Sequence, residues 1–455
     1  MTYAEALQYL DSFLNYEQTV QYHYPEAFSL DRVRALLSRL GDPQNRYPTL
    51  HVAGTKGKGS TCVFAASILQ AAGLRTGLYT SPHLFSIRER FQINGVPISE
   101  PEMTGVVDAL RRVSPEKELT YFEVTTACAF LHFARSGVDA AVIEVGLGGR
   151  LDATNVLNPA VTAITPVSLD HMDKLGNTLA QIAGEKAGIV KSGIPVVVSP
   201  QPPEAVETIE RTAQKQGAPL HRLEREVSVR EPKISLQGST ASFQTPVRLY
   251  RQVQVPLLGR HQLINAAAAI RLTELFAERG AVPALSEESV TQGIARVRWP
   301  GRCQLVEGTP PVILDGAQNA ESARVLKETV RELFPGRPVI LIVGTSADKD
   351  LEGMAGVWGA WAKRVILTRA AHPRAASLDS LEKAFAAAAV SVERSESVDE
   401  ALQKAKEKTA PGDLIAVSGS LFVAGEALKR LSSVDGGPGR EQPRSRPPTE
   451  EAKRR

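Results

Sequence analysis

The chain alternates short apolar runs with longer stretches in which apolar residues recur every three or four positions. Runs of strand length are found at 49–53, 75–81, 140–146, 159–165 and 194–200. Continuous apolar runs are typical of strands buried on both faces, and the helical stretches between them predict βαβ units with a mainly parallel sheet. Residues 222–257 alternate polar and apolar positions, which predicts an antiparallel patch.

A second alternation of strand-like and helical segments follows "RVRWPGR" (296–302). Its apolar runs lie at 311–315, 338–344, 364–368 and 413–420. The pattern predicts an α/β protein with a larger domain at 1–296 and a smaller, doubly wound (Rossmann-like) α/β domain at 297–432. Residues 433–455 are rich in Pro, Gly and charge, so we expect a disordered tail.

Composition excludes several classes of protein. The 455 residues carry a net charge of +3, and the tail after Ser432 supplies +2 of it, from six Lys/Arg and four Asp/Glu. A nearly neutral body argues against a nucleic-acid surface. Three scattered cysteines, the absence of a signal-peptide pattern and the lack of a spanning apolar run predict a cytoplasmic protein that does not bind membranes. No pattern indicates an obligate interface, so we expect a monomer.

Three glycines and two lysines lie within "GTKGKGS" (54–60), between a predicted strand and a predicted helix. A loop that wraps phosphates needs residues free of Cβ clashes, so that backbone N–H groups point inward. It also needs a lysine for charge and a hydroxyl for Mg²⁺, and the N-terminus of the following helix attracts an anion. Lys58 and either Ser60 or Thr61 meet these needs. The segment therefore predicts a phosphate-binding loop in the domain at 1–296.

The match to the pattern G-x-x-x-x-G-K-[ST] is incomplete. Val52 stands where the pattern has its first glycine, and Gly59 separates Lys58 from Ser60. A solvated Gly/Lys turn is the alternative for such a segment, and from the residues alone Lys56 fits a solvated charge. The flanking strand and helix favour phosphate binding.

Further motifs follow in a fixed order: "TSPHL" (80–84), "EVGLGGRLDATN" (144–155), "LDH" (169–171), "GEKAGIVK" (184–191), "GRHQLINA" (259–266), "RWPGR" (298–302), "DGAQN" (315–319) and "SGSLFVAGEA" (418–427). Together with "GTKGKGS" they resemble the folylpolyglutamate synthase family of the Mur ligase superfamily, and most of all its bifunctional dihydrofolate/folylpolyglutamate synthases. The resemblance covers about residues 1–430. It implies a P-loop-type ATPase domain, the ATP-binding domain of Mur ligases, at 1–296 and a C-terminal glutamate-ligase domain at 297–432.

The resemblance implies an ATP-dependent ligase that adds L-glutamate to dihydropteroate and to tetrahydrofolates. ATP phosphorylates a substrate carboxylate, the amine of glutamate attacks the acyl phosphate, and ADP and phosphate are released. The implied cofactors are ATP and Mg²⁺, with two metal ions, and the partners are small molecules. Two domains that close over the acyl phosphate would protect it from water.

The resemblance assigns metal contacts to Ser81, Glu144 and His171. Glu144 also stands out by itself, because a carboxylate within the apolar run "AAVIEVG" is costly to bury without a partner. The alternative is an exposed glutamate at the end of a strand. Without the motif, His171 fits an ordinary histidine and Ser81 fits a bend before a proline.

The ATP contacts implied by the resemblance are Thr55, Lys56, Gly57, Lys58, Gly59, Ser60, Asn265, Arg302 and Asp315. The implied catalytic residues are Lys58, Lys186 and His171. In related ligases the lysine equivalent to Lys186 is carbamylated, which converts a cation into an anion able to hold a second Mg²⁺. The alternative for Lys186 is a solvated helix charge. Asn265 has an amide suited to an adenine edge, and Arg302 is suited to the γ-phosphate.

The pterin contacts implied by the resemblance are Thr120, Tyr121, Phe122, Glu123, Leu151, Asp152 and Ala153. Phe122 offers a ring face for stacking, and Glu123 or Asp152 has oxygens for pterin N–H groups. The alternative for Phe122 is an ordinary core position.

Gln318 and Ser420 are candidate contacts for the incoming glutamate, together with Asp315. The family usually has "DGAHN", whereas this chain has "DGAQN", with Gln318 in place of the histidine. Glutamine forms hydrogen bonds but does not become cationic near neutral pH.

Three alternative functions remain open from the sequence. The first is a folylpolyglutamate synthase without dihydrofolate synthase activity, although "TYFE" (120–123) favours the bifunctional form. The second is a nucleotide-binding regulator or ATPase whose turnover needs neither glutamate nor folate. The third is a cell-wall Mur ligase, which needs a uridine-binding domain larger than the roughly 50 residues before the phosphate loop.

Overall fold

A computed structural model describes residues 1–19, 28–113, 119–388 and 390–434 of the chain. Its strands are β1 (Thr49–Ala53), β2 (Thr76–Tyr79), β3 (Phe91–Ile93), β4 (Val96–Pro97), β5 (Ala140–Glu144), β6 (Val161–Ile164), β7 (Val196–Val198), β8 (Leu220–Arg222), β9 (Ser228–Ser235), β10 (Gly238–Gln244), β11 (Leu249–Val255), β12 (Gln304–Val306), β13 (Val312–Leu314), β14 (Val339–Val343), β15 (Arg364–Leu367), β16 (Ser391–Arg394) and β17 (Leu414–Ser418).

The helices lie mostly between these strands. They are α1 (Tyr3–Asp11), α2 (Leu30–Arg39), α3 (Lys58–Ala71), α4 (Glu100–Val113), α5 (Tyr121–Arg135), α6 (Met172–Leu175), α7 (Leu179–Ala187), α8 (Pro203–Lys215), α9 (Leu223–Glu226), α10 (Arg260–Glu278), α11 (Glu287–Ala295), α12 (Ala320–Leu333), α13 (Leu351–Gly359), α14 (Leu378–Phe385), α15 (Val398–Glu407) and α16 (Leu421–Val434). None of the helices in these described segments has the length and apolar character needed to cross a membrane.

The largest sheet has the strand order β4-β3-β2-β5-β1-β6-β7-β8. Its central strands are parallel: β1 pairs with β5 on one side and with β6 on the other. The carboxyl ends of these three strands therefore meet at one edge, where open α/β sheets bind ligands. This mainly parallel sheet confirms the fold predicted for the first part of the chain.

The C-terminal sheet has the order β12-β13-β17-β14-β15-β16. All of its pairs are parallel except that of β12 with β13. Apolar clusters cover both faces, one formed with α12, α13 and α14 and the other with α15 and α16. Helices on both faces of a parallel sheet are the predicted doubly wound arrangement.

The antiparallel patch predicted at 222–257 is a three-stranded sheet in the order β11-β10-β9. It packs with α3, α10 and α11 in the apolar cluster on one face of the largest sheet, and α1, α4 and α5 cover the other face. The sequence pattern missed the short strands β3, β4, β8, β12 and β16, which lie at or next to the edges of their sheets. Each has only two to four residues, too few for a clear alternation of polar and apolar positions.

The domain limits 1–296 and 297–432 and the disordered tail remain predictions. The predicted boundary falls between α11 and β12, and α16 continues to Val434. From residue 435 onward the predicted tail lies outside the described residues.

Candidate active site

A cavity of about 480 Å³ is lined by residues from both the N-terminal and the C-terminal parts of the chain. The predicted site residues that line it are Thr55, Lys56, Gly57, Lys58, Gly59, Ser60, Ser81, Thr120, Phe122, Glu144, Asp152, His171, Lys186, Asn265, Arg302, Asp315, Gln318 and Ser420. Its lining does not include the predicted pterin contacts Tyr121, Glu123, Leu151 and Ala153. The fold thus brings most of the predicted residues to one place.

The glycine-rich segment joins β1 to α3. Its backbone is held at the start by Pro166, whose carbonyl accepts hydrogen bonds from the N–H groups of Thr55 (3.0 Å) and Lys56 (3.1 Å). Helix α3 begins at Lys58, within the glycine-rich segment itself. Lys58, Gly59 and Ser60 therefore form its first turn, where backbone N–H groups lack partners within the helix and attract an anion.

Gly57 has to be a glycine. Its φ of +83° lies in the left-handed region, and a Cβ at this position would be 2.3 Å from Asn265 Oδ1. Asn265 lies on α10, where its Nδ2 donates to Gln262 Oε1 at 2.9 Å. The close approach places the Asn265 amide directly against the phosphate loop.

Glu144 ends β5, beside the phosphate loop. Its Oε2 accepts a hydrogen bond from the backbone N–H of Ser81 at 3.1 Å, and the side chain is buried. Burial raises the pKa of Glu144, while the nearby charge of Lys58 lowers it. The alternative of an exposed strand-end glutamate is therefore wrong. The buried Thr61 Oγ1 has no hydrogen-bond partner among the described residues, so a hydroxyl is also free in this turn of α3.

Asp170 connects the two parts of the chain. Its carboxylate accepts from Lys56 Nζ at 3.2 Å and from Lys349 Nζ, in the C-terminal part, at 2.7 Å. Burial opposes its ionisation, but the charges of Lys56 and Lys349 hold the pKa of Asp170 well below its usual value. Lys56 is therefore paired and half-buried, and the interpretation of Lys56 as a solvated charge is wrong.

His171 lies next to this pair. Its Nε2 is 3.3 Å from Lys349 Nζ, and burial together with Lys349 lowers the pKa of His171 to about 3. Its φ of +50° is left-handed, at the residue before α6. In this arrangement the neutral imidazole contacts the ammonium group of Lys349.

Lys186 is buried on α7, which contradicts the alternative of a solvated helix charge. Its Nζ donates to the backbone carbonyl of Gly54, at the start of the phosphate loop, at 3.0 Å. Burial and the neighbouring Lys58 lower the pKa of Lys186 to about 7. A large fraction of this amine is therefore uncharged and nucleophilic near neutral pH.

The C-terminal wall of the cavity is built at the carboxyl ends of strands. Asp315 follows β13 and accepts from the N–H groups of Cys303 and Ala317, both at 2.8 Å. Burial raises the pKa of Asp315, and the nearby Arg302 lowers it. Ser420 Oγ accepts from Val423 N at 3.1 Å, in the first turn of α16. Gln318 lines the cavity just before α12.

The residues of the predicted pterin segment 120–123 have two different structural roles. Thr120 and Glu123 form a capping box at the start of α5, and Glu123 Oε1 also accepts from Arg32 Nη2 at 2.9 Å. The Glu123 oxygens are thus already engaged. Phe122 instead lines the cavity, where a Cβ on Gly146 would be only 2.4 Å from its ring.

Asp152 lines the cavity but also holds its own loop. Its carboxylate accepts from the N–H groups of Leu147 at 2.9 Å and Thr154 at 3.0 Å. Burial raises the pKa of Asp152, and these hydrogen bonds lower it. Asp152 thus shapes the loop after β5 as well as the cavity wall.

Comparison with known proteins identifies the family. Residues 52–273 match the Mur ligase middle domain, and residues 301–421 match the Mur ligase glutamate ligase domain. The chain is 36% identical over 410 residues to a Bacillus subtilis dihydrofolate synthase/folylpolyglutamate synthase, covering 88% of this chain and 94% of that protein. The chain belongs to the folylpolyglutamate synthase family.

Solved structures of this family have the same fold. A Mycobacterium tuberculosis folylpolyglutamate synthase complexed with ADP superposes with a TM-score of 0.85 at 32% identity, covering 96% of this chain and 99% of that one. Escherichia coli FolC in complex with DHPP and ADP gives a TM-score of 0.84 at 30% identity, with the same coverage. The predicted resemblance and fold class are confirmed.

Sequence reasoning missed several residues of this synthase cavity. Lys349 and Arg374 reach it from the C-terminal part, and Glu17 reaches it from the N-terminal segment. Arg374 Nη2 donates to Asp348 at 2.6 Å, and the fully buried Arg90 donates to Glu17 Oε1 at 2.8 Å. Neither charged pair has a local sequence pattern. The cluster of charges in "SADKD" (346–350) was a local signal for this loop, but none of the predictions used it.

Proposed function

We propose that this protein adds L-glutamate to dihydropteroate and to tetrahydrofolates, using ATP and an acyl-phosphate intermediate. Family membership supports this proposal, and Escherichia coli FolC binds DHPP and ADP on the same fold. The observation that carries it is the single cavity, in which a phosphate loop faces carboxylates and cations from both parts of the chain. Such a cavity can hold a nucleotide and an acid together while excluding water.

The first step forms a mixed anhydride. An oxygen of the substrate carboxylate attacks the γ-phosphorus of ATP, and ADP leaves. Lys58 and the first-turn N–H groups of α3 would bind the phosphates, and Arg302 and Asn265 line the same cavity. Phosphoryl transfer needs mainly alignment and charge neutralisation, which these groups supply. The amine of glutamate then attacks the acyl carbon and phosphate leaves.

Magnesium fits the phosphate-loop end of the cavity. No group of three or more His, Cys, Asp and Glu side chains within the described residues is arranged to hold a metal ion. Mg²⁺, however, often takes one carboxylate together with hydroxyls, phosphates and water. Glu144, Ser81 and the unpartnered hydroxyl of Thr61 offer such oxygens. When bound, Mg²⁺ would neutralise phosphate charge, and His171 would join only if Lys349 moved away from it.

Lys186 suits the proposed carbamate. Its neutral amine would attack CO₂, forming an N–C bond and releasing one proton. The pKa of about 7 supports this reaction, because burial and Lys58 leave much of the amine uncharged. The product would be an anion beside Lys58, able to hold a second Mg²⁺.

The substrate contacts are also proposals. Phe122 and Asp152 line the cavity and are the candidates to contact the pterin, with Thr120 beside them. Tyr121, Glu123, Leu151 and Ala153 would act by shaping this wall. Asp315, Gln318 and Ser420 lie together on the C-terminal wall, where glutamate would bind. Gln318 would position a substrate group by neutral hydrogen bonds.

A second candidate is a folylpolyglutamate synthase that does not use dihydropteroate. One observation favours it: Glu123, part of the "TYFE" segment that predicted the bifunctional form, is engaged by its capping box and Arg32. A steady-state assay with dihydropteroate and then with tetrahydrofolate separates the two candidates.

The test of the proposed function is ADP formation from ATP while each substrate is omitted in turn. We expect turnover only when a pteridine acid and L-glutamate are both present, and D-glutamate serves as the control amine. ATP turnover that needs neither substrate would identify a nucleotide-binding regulator or ATPase and refute the proposal.

The remaining predictions concern the setting of the enzyme. We propose a monomer that acts in the cytoplasm on small molecules and binds neither nucleic acid nor membranes. The three buried free cysteines and the near-neutral charge of the body support a reducing compartment and small-molecule partners. Sedimentation at micromolar concentration tests the monomer.

A further inference from the structure

The linker between the two parts of the chain, residues 296–303 between α11 and β12, contacts the phosphate loop through Trp299. A Cβ placed on Gly59 would lie 3.2 Å from Trp299 Cζ2, 3.3 Å from its Nε1 and 3.5 Å from Glu144 Oε2. The indole therefore packs directly against the first turn of α3. This contact explains the extra glycine of "GKGS", because any larger residue at position 59 would push the ring away.

The N-terminal side of the linker is fixed to the same helix. Ser67 on α3 donates its hydroxyl to the Gly293 carbonyl of α11 at 2.5 Å. A Cβ on Gly293 would lie 2.6 Å from the Cα of Ile68, so α11 and α3 are in close contact. The linker thus leaves α11 already anchored to the phosphate-loop helix.

The other side of the linker is fixed to the C-terminal sheet. The Gly301 carbonyl accepts from Gly316 N at 3.2 Å, and Cys303 N donates to Asp315 Oδ2 at 2.8 Å. Arg302 stands between these two bonds and lines the cavity. Only Pro300 lies between Trp299, which contacts the phosphate loop, and residues 301–303, which hold the turn at Asp315. The proline ring restricts the backbone conformation there.

We propose that Trp299 is a positioning residue: by packing on Gly59 it couples the phosphate loop to Arg302 and the Asp315 turn. A nucleotide that binds the loop therefore sets where these groups stand during phosphoryl transfer. The contact is made by the edge of the ring, where Cζ2 and Nε1 lie nearest to Gly59. Trp299 Nε1 is buried without a hydrogen-bond partner among the described residues. This inference rests on the proposed function, because it assumes nucleotide at the loop.

The kinetic test compares Trp299→Ala with Trp299→Phe, which keeps a ring. We expect Trp299→Ala to lower kcat by about tenfold to a hundredfold, because small misplacements of catalytic groups have effects of this size. The Kd for ADP, measured by calorimetry, should change much less. Trp299→Phe keeps a ring but lacks the Cζ2 and Nε1 atoms nearest Gly59, so its kcat should fall between that of Trp299→Ala and that of the wild type. A general loss of structure would lower the melting temperature and weaken ADP binding as well, so both are measured.

A double variant tests the contact itself. Gly59→Ala introduces the methyl group that clashes with the indole, and Trp299→Ala removes the indole. The loss of kcat in Gly59→Ala/Trp299→Ala should be smaller than the product of the two single losses. Multiplying losses would overturn the proposal, as would an unchanged kcat in Trp299→Ala or a Phe variant as slow as the Ala variant.

Fluorescence supplies an independent readout, because the chain has three tryptophans. ADP should change the emission of the wild type and of the control Trp361→Phe, whose residue packs in the C-terminal core. The change should disappear in Trp299→Phe, and its persistence there would refute the contact. A wild type that forms no ADP with glutamate and pteridine acid would refute the proposed function instead.

Discussion

The two ends of the cavity differ in how their charges are satisfied. At the His171 end, Asp170 is paired with both Lys56 and Lys349. At the phosphate-loop end, the ion pairs found in the described segments include neither Lys58 nor Glu144, although both lie in the cavity wall. Buried charges are costly unless they are paired. The comparison indicates that the first end holds the two parts of the chain together and that the second end is built for a ligand.

The largest effect should come from removing the charge of Lys58. We expect Lys58→Ala to lower kcat/KM for ATP by about 10³-fold, because phosphoryl transfer depends on neutralising phosphate charge. The protein should remain folded, since this lysine has no structural partner to lose. Steady-state ADP formation and a melting curve measure both. Lys215→Ala, on the exposed last turn of α8, is the control and should match wild type.

Glu144→Gln should separate activity from stability. We expect about a 10²-fold loss of kcat, because the carboxylate that would bind the metal becomes neutral. The same change should leave the melting temperature equal or higher at pH 7. Burial raises the pKa of Glu144, so ionising this group costs folding free energy that glutamine does not. A lower melting temperature together with full activity would mean that Glu144 is structural.

Lys186→Ala should reduce activity by at least about tenfold, because it removes a proposed ligand of the second Mg²⁺ and the loss of an outer-shell partner alone costs about tenfold to a hundredfold. Short-chain acids such as acetate should restore part of it. The wild type should respond to bicarbonate more strongly below pH 7, because the pKa of about 7 means that protonation then removes the reactive amine. Unchanged activity of the variant at both low and high bicarbonate would contradict the carbamate.

These contrasts also show which parts of the site a sequence can predict. The phosphate loop and Glu144 could be predicted because their signals are local in the sequence. The loop shows a cluster of glycines, and Glu144 is a carboxylate within an apolar run. The sequence T-x-x-E at Thr120–Glu123 is a capping-box signature as well, and that local rule was overlooked in favour of a pterin contact. The Lys349–Asp170 pair joins residues 179 positions apart, and no local pattern encodes such a contact.

The paired end should tolerate substitution better than the open end. Lys349→Met removes one of the two cations paired with Asp170, and we expect about a tenfold loss of kcat/KM. Truncating one partner of a buried ion pair costs a few kcal/mol, and the remaining partner, Lys56, offsets part of that cost. The matched control is Arg369→Met, which breaks an exposed pair with Glu396 in the same part of the chain. Exposed pairs contribute about 0–1 kcal/mol, so this variant should keep full activity. Equal losses in both variants would contradict a special role for Asp170.

The smallest effect concerns stability alone and tests whether Glu17 follows the same rule of paired charge. Burial opposes its ionisation, but the fully buried Arg90 holds the pKa of Glu17 below its usual value. A lowered carboxyl pKa stabilises the fold above the unfolded pKa of about 4.3, and this stability is lost as the pH falls through the folded pKa. Glu17→Gln should therefore lower the free energy of unfolding by about 1–2 kcal/mol at pH 7.

That deficit should shrink steadily below about pH 4, where the wild-type carboxylate becomes protonated and resembles the glutamine. Urea denaturation of both proteins at several pH values measures it. Glu207→Gln, on the exposed face of α8, should show no deficit at any pH. A Glu17 deficit that stayed constant down to pH 3 would mean that the side chain contributes packing rather than charge. Arg90 would then be held mainly by its other contacts, with His83 Nδ1 and the face of Tyr121.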